Sequence, residues 1–238
     1  MPPRNIAAGL LLFLGAAIAH AAEPGEAPSL ALPIFADQVA FAIDAPGPSK
    51  LERGFFGGGS ISGIYPTITA GHMLLVTPPG DAVLGRRLNQ PLSARRVLTW
   101  TWRRLPLDTG QPDNLTDDAP MRLIVGFSGG GVRPVSANAP LASIDLPPYD
   151  RAVVLVWSNY PWENGAADRN GPLARFIAHG GGGDSGEWWE ESVDLASLHA
   201  RLWPGADIAD VRIAWVAVGL RRADGSSRGE VAGIALAP

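Results

Sequence analysis

The chain contains the side-chain types of a serine-protease triad in the order His, Asp, Ser. His72 ends the segment Thr-Ala-Gly-His, Asp117 and Asp118 lie in the middle of the chain, and Ser185 lies in the segment Gly-Asp-Ser-Gly. A triad needs the serine to attack, the histidine to take its proton, and a buried acid to orient the imidazole. One candidate function is therefore a trypsin-like hydrolase that uses His72, Asp117 and Ser185.

Other features favour a simpler interpretation of the same segments. Glu187 and Trp188 follow where the protease pattern continues with a further glycine, and four-residue matches arise easily in a chain with 29 glycines. The order of triad residues also depends on the fold, so order without geometry adds little. We expect no catalytic residues: 180–186 forms a hairpin turn, and His72 and Ser185 do not meet.

A second candidate site lies in the loop after a predicted strand at 152–157. Asn159, Trp162 and Glu163 fall within one short stretch, so their side chains can share a rim by local geometry alone. Pro161 stiffens the stretch by fixing its own φ, which lowers the entropy cost of presenting these groups. Flat aromatic faces beside amide and acid groups suit sugar rings, which stack and form hydrogen bonds. The stretch predicts a site for a saccharide or another small polar ligand.

The acidic side chains allow two interpretations. Asp117, Asp118 and Glu163 could supply the acid and base of a glycosidase, which needs two carboxylates about 5 to 10 Å apart across a sugar. The interpretation we favour is structural, with Asp118 paired to Arg122. Arg122 falls out of phase with the apolar residues of its predicted strand, and a buried charge needs a partner.

Neither a metal nor a cofactor is indicated by the sequence. The chain has no cysteine, which excludes thiolate catalysis and cysteine-based zinc sites. His72, His179 and His199 are not at zinc-ligand spacing, and we expect His199 to face solvent on a predicted helix. The glycine runs at 57–59 and 180–183 lack the Lys-Ser/Thr or apolar helix start of a phosphate loop, so both are expected to be turns.

The elements that must position these residues are mostly short strands. Alternating apolar and polar side chains predict half-buried strands at 98–103 and 121–127, and continuous apolar runs at 152–157 and 211–220 predict central strands covered on both faces. Segments 173–178 and 230–236 supply two more. Trp100, Trp102 and Trp157 are expected in the core.

One short helix interrupts the strands. Leu195, Leu198 and Leu202 fall on one helical face behind Asp194 as the N-cap, and Pro204-Gly205 ends the run. The pattern predicts a mostly β fold: two antiparallel sheets packed as a jelly-roll-like sandwich over residues 34–238, with one short helix near the C-terminal part.

The N-terminus carries the pattern of a secretory signal peptide at residues 1–21. Arg4 precedes an apolar run from Ile6 to Ile18 and then Ala-His-Ala, which a signal peptidase reads. Segment 22–33, rich in Pro, Ala and Glu, is expected to be a flexible mature N-terminus. Arg4 is the only residue of the leader that contributes to the formal charge, so removal of the leader changes the net charge from −4 to −5. An acidic chain of this kind makes nucleic acid an unsuitable partner.

Three segments resemble a known family. They are Leu-Thr-Trp-Thr-Trp-Arg at 98–103, Asp-Asp-Ala-Pro-Met-Arg-Leu-Ile-Val at 117–125 and Val-Trp-Ser-Asn at 156–159. In this order they are similar to the bacterial domain of unknown function three thousand and forty-seven, with its Trp-x-Trp-Arg strand, acidic pair before an Arg-bearing strand, and Trp-x-Asn segment. The resemblance covers residues 70–238 and departs in the final hairpin, where 220–225 keeps one acid. It implies an exported, sandwich-like domain and carries no reaction.

These observations predict an exported, periplasmic or secreted, non-catalytic domain. Its expected partner is a small polar or saccharide ligand, or a component of the cell envelope, with no transmembrane segment after signal cleavage. The alternative is a secreted hydrolase, either trypsin-like or glycosidic. The oligomeric state is left open by the sequence.

Overall fold

A computed structural model describes thirteen strands and one α-helix, labelled here in chain order. The described residues are 32–33, 55–59, 68–69, 72–77, 80–105, 121–131, 146–158, 160, 163–181, 186–222 and 227–238. The predicted leader lies outside them. The strands are β1 (Leu32–Pro33), β2 (Phe55–Gly59), β3 (Ile68–Thr69), β4 (His72–Thr77), β5 (Gly80–Pro91), β6 (Val97–Arg104), β7 (Met121–Ser128), β8 (Arg151–Ser158), β9 (Ala167–Asn170), β10 (Leu173–Gly180), β11 (Trp189–Asp194), β12 (Arg212–Arg222) and β13 (Ser227–Ala237), and α1 is Leu195–Leu202.

The strands form two sheets, as the sequence predicts. The six-stranded sheet has the order β11-β6-β13-β4-β3 with β1 beside β13, and the seven-stranded sheet has the order β2-β5-β12-β7-β8-β10-β9. Leu32 and Pro33, the last two residues of the segment expected to be flexible, form β1 opposite Leu236 and Ala235.

One strand pair departs from the predicted antiparallel arrangement. β8 and β10 are parallel, with Leu173 opposite Ala152, while β9 is antiparallel to β10. The chain leaves β8, runs back along the sheet edge as β9, and returns through a turn at 171–172 as β10. Because β9 runs opposite to β8 and β10 runs opposite to β9, β10 runs in the same direction as β8.

The space between the sheets holds the main core, and its indoles confirm the predicted positions. Trp100, Trp102 and Trp157 are all fully buried. The rings of Trp100 and Trp102 meet edge to face at 5.3 Å, and those of Trp102 and Trp157 lie 5.6 Å apart. Burial alternates along β6, which confirms a strand with one face in the core.

The seven-stranded sheet has apolar layers on both of its faces. β8 is buried along its whole length, as its continuous apolar run predicts. β7 was expected to be half-buried, but its residues 121–127 are all buried. Ile124 of β7 packs on the outer face with Val154 and Trp215, so its second face is covered too.

Helix α1 begins and ends as predicted, but one of its residues differs from expectation. The Asp194 carboxylate accepts a hydrogen bond from the Ser197 N–H at 2.9 Å, which caps the helix. His199 was expected to face solvent and is only 1% exposed. The expectation was wrong because His199 lies four residues after Leu195 and three before Leu202, so it shares their buried face. In the described part of the chain, no helix is long and apolar enough to cross a membrane.

Candidate functional site

Of the predicted ligand-binding residues, Glu163 alone lies in the described part of the chain. Asn159 and Trp162 fall outside it, so their exposure stays a prediction. Arg122 is in β7 and is buried, as a structural role requires, while its predicted partner Asp118 lies outside the described residues.

The serine-protease trio also falls largely outside the described part. His72 is the first residue of β4, where its backbone pairs with Ala232 of β13. Asp117 and Ser185 are not described. The expectation that His72 and Ser185 do not meet therefore stays a prediction.

The best-defined polar group at the carboxyl end of β8 consists of Ser158, Tyr160 and Glu163, here called the β8 rim. The Ser158 hydroxyl donates to Glu163 Oε2 at 2.6 Å and accepts from the Tyr160 N–H at 3.2 Å. The Glu163 N–H donates to the Tyr160 carbonyl at 3.3 Å. These bonds fix the turn, so the Glu163 carboxylate is held against a fully buried strand residue.

Tyr160 gives the rim an aromatic surface. Tyr160 is 38% exposed. Among the residues whose burial is described, no other large hydrophobic residue is classed as exposed. Glu163, three residues later in the same turn, is half-buried. An exposed aromatic ring can stack on an apolar face of a ligand, and an oriented carboxylate in the same turn can accept hydrogen bonds from the ligand's hydroxyl groups.

Behind the rim, a His–Glu pair joins the two sheets. His179 Nδ1 of β10 lies 2.9 Å from Glu191 Oε1 of β11, and the Trp102 indole N–H donates to the same oxygen at 3.3 Å. The His179 ring lies 4.5 Å from each of the rings of Trp157 and Trp189. The pair is therefore enclosed by indoles from both sheets.

The electrostatics of this pair follow from its burial. Burial raises the pKa of Glu191 to about 7, and the hydrogen bond from Trp102 offsets part of the rise. The protonated carboxyl group of Glu191 is uncharged, and this is the less costly state for a buried acid. His179 is only 8% exposed. The buried pair suits a structural role. It links the two sheets next to the end of β8 that carries the rim.

A second aromatic ring, that of Trp188, already contacts a cation. The Arg103 guanidinium lies 4.8 Å from the centre of the Trp188 ring and is ion-paired with Glu230. Two hydrogen bonds fix the described residues on either side of 182–185: the Gly181 N–H donates to the Ser158 carbonyl at 2.9 Å, and the Gly186 N–H donates to the Arg104 carbonyl at 2.7 Å.

Sequence reasoning missed both members of the His–Glu pair. The signal for Glu191 was present, because Trp189, Glu191 and Val193 alternate along β11 and Trp189 and Val193 are apolar. In a strand this period places all three on one face. Nothing in the sequence shows that His179 of another sheet meets Glu191.

Metal binding gains no support from this geometry. Over the residues that the structure describes, no three or more His, Asp or Glu side chains could together hold a metal ion. No family model matches the chain, and no curated protein matches it either. The family resemblance described above accordingly stays a prediction.

Proposed function

We propose that this protein is an exported binding domain that takes a saccharide or another small polar ligand at the β8 rim. The observation that carries the proposal is the Ser158–Glu163 hydrogen bond, in a turn that also holds the exposed residue Tyr160. Asn159 and Trp162 belong to the same stretch of chain and are proposed as further ligand contacts. The signal-peptide pattern at residues 1–21 supports export.

The rim is suited to binding because little must be ordered when a ligand arrives. Ser158 occupies Oε2 of the Glu163 carboxylate and fixes its direction, which leaves Oε1 to accept a ligand hydroxyl. Holding a side chain in its bound conformation beforehand removes about 0.5 to 1.5 kcal/mol of ordering cost. The Tyr160 ring supplies a flat apolar face for the C–H side of a sugar.

A binding role fits the described rim better than glycoside hydrolysis. Hydrolysis needs two carboxylates that face each other across the sugar. The rim residues that the structure describes supply one carboxylate, that of Glu163, and it is already engaged by Ser158. The proposed role is therefore recognition without reaction.

The direct test is a glycan array of cell-envelope sugars followed by calorimetry on any hit. Glu163→Gln and Tyr160→Ala should each weaken binding by about tenfold or more, because each removes a central contact. Glu190→Gln is the matched control, since Glu190 is an exposed glutamate on β11, and it should bind like the original protein.

Two outcomes would count against the proposal. A clean negative across the array and a thermal-shift screen with the same sugars would remove the saccharide version. Equal affinity of Glu163→Gln and the Glu190→Gln control would place the ligand elsewhere. Labelling by a fluorophosphonate probe that is lost in Ser185→Ala would instead support the hydrolase hypothesis.

A further inference from the structure

Arg151 lies at the amino end of β8, opposite the β8 rim, and carries a buried positive charge. It is 7% exposed. One of its terminal nitrogens, NH1, donates to His199 Nε2 at 3.2 Å. The guanidinium carbon lies 5.7 Å from the centre of the Trp203 ring. Both contacts are with uncharged groups, so neither neutralises the guanidinium.

His199 cannot serve as a counter-charge or as a competing cation. Burial, followed by the positive charge of Arg151, lowers the pKa of His199 to about 4. The neutral ring accepts from Arg151 at Nε2, so its proton is on Nδ1, and that buried nitrogen has no hydrogen-bond partner among the residues that the structure describes. The arrangement orients Arg151 without cancelling its charge.

Asp150, the residue before Arg151, is hydrogen-bonded to another part of the chain. Asp150 Oδ2 accepts the Gly129 N–H at 2.6 Å, and within the described residues Arg151 forms no ion pair. Burial is the main cause that lowers the pKa of Arg151; the charge of Asp150 acts to raise it, and the charge of Arg169 of β9 acts to lower it. Asp150 therefore offsets part of the Arg151 charge without forming an ion pair with it, and Arg169 brings a second positive charge nearby.

Arg151 retains a small exposed fraction, 7%. Among the described residues, no Arg151 nitrogen is both fully buried and without a partner, and the hydrogen bond found there for its side chain is the one to His199. The turn at 129–131 passes closely over the same guanidinium. A methyl group at Gly130 would lie 3.5 Å from Arg151 NH1 and 3.0 Å from Val211 Cγ2, so glycine keeps this approach open.

We propose that Arg151 anchors a site for a small oxyanion, a carboxylate or phosphate group, beside the 129–131 turn. The planar guanidinium offers forked N–H donors that match two oxygens of either group. Burial strengthens the attraction because the surrounding dielectric is low. Arg169 adds attraction from the neighbouring edge strand. The site is independent of the proposed ligand at the β8 rim.

The test is a titration of the protein with sodium phosphate and, separately, with sodium acetate, at constant ionic strength set with sodium chloride. Nitrogen–proton correlation spectra should show saturable shifts of the Arg151 side-chain Nε–H and of the amides of residues 129–131. A phosphate-preferring site will saturate at lower phosphate than acetate, and a carboxylate-preferring site will show the reverse order.

Two variants and a control decide the assignment. Arg151→Lys keeps the charge but loses the fork, and it should abolish saturation. Arg169→Gln changes an exposed side chain, leaves Arg151 in place, and should weaken binding by about threefold or more through lost charge. Arg201→Gln, also exposed and placed over Phe176, should bind as the original protein does.

The proposal is overturned if neither anion gives saturable shifts near Arg151 in the original protein. Equal affinity of Arg169→Gln and Arg201→Gln would also overturn it, and this comparison holds even where Arg151→Lys does not fold. Shifts that saturate equally in Arg151→Lys would mean general ionic binding, which is likewise contrary to a forked site.

Discussion

Replacing Glu191 by glutamine should remove a loss of folding stability that occurs as the pH rises. Glutamine keeps the shape of the side chain, and its oxygen can still accept the N–H groups of Trp102 and His179 that lie 3.3 and 2.9 Å from Glu191 Oε1. The change removes the carboxylate that must be buried in charged form when the pH is high. We expect the variant to be more stable than the original protein above neutral pH and about equal to it in acid.

The magnitude follows from the pKa of Glu191. Burial raises it from 4.5 to about 7 in the folded protein, and a shift of this size corresponds to about 3 kcal/mol. A raised pKa in the folded state stabilises the protein below the unfolded value and loses that stabilisation as the pH rises through the folded value. The free energy of unfolding should therefore fall by up to about 3 kcal/mol from pH 4.5 to pH 8 because of this group.

Urea unfolding followed by tryptophan fluorescence, repeated at half-unit steps from pH 4.5 to 8.5, measures the effect. The difference between Glu191→Gln and the original protein should grow with pH in favour of the variant. Glu190→Gln, one residue away and exposed, should follow the original protein throughout. Parallel pH curves for Glu191→Gln and the original protein would refute the reasoning, because they would mean that Glu191 titrates alike in the folded and unfolded states.

Four further changes test the contributions of packing, helix capping and charge pairing to stability. Gly126→Ala would drive a methyl group into the Trp215 indole and should cost about 3 kcal/mol in urea unfolding; a loss below about 1 kcal/mol would show that the indole can move aside. Asp194→Ala removes the cap of α1 and should cost about 1 kcal/mol, with an unchanged urea midpoint as the contrary result. Arg122→Ala removes a buried guanidinium; if Arg122 is paired with Asp118 as predicted, the carboxylate left without its partner should make the change cost about 3 to 5 kcal/mol. Asp118→Asn should lower the melting temperature comparably if the predicted pair exists, and a normal melt would assign another partner to Arg122.

Local periodicity was enough to predict six of the thirteen described strands and the α-helix. β6, β8 and β12 were predicted from alternation or from continuous apolar runs, and α1 from its leucine spacing and its Asp194 cap. These features depend on neighbouring residues along the chain, so the sequence alone carries them. The parallel pairing of β8 and β10 depends instead on β9 taking the sheet edge. No property of β10 itself encodes that choice.

The polar clusters were harder to predict for the same reason. Glu163 was proposed because its loop position is local, whereas the His179–Glu191 pair is made by strands from different sheets. His199 was misplaced even though its local spacing was informative, because a polar residue type was weighed above its position on the helix. Arg151 passed unnoticed because its importance comes from His199 and Trp203, which lie about 50 residues away in the sequence.

The two proposed sites belong to opposite ends of one strand, and this has a consequence for their coupling. β8 is apolar from Ala152 to Trp157, so polar chemistry is possible only at Arg151 and Ser158, where the strand meets its loops. With a rise of about 3.3 Å per residue, these ends lie about 23 Å apart. At that distance two unit charges interact by only about 0.7 kcal/mol at an effective dielectric constant of about 20, and an uncharged ligand at the rim interacts less. An anion bound at Arg151 should therefore leave ligand affinity at the β8 rim unchanged, and calorimetry of the rim ligand with and without saturating phosphate measures this. A change in affinity would mean that β8 shifts as a unit and transmits occupancy from one end to the other.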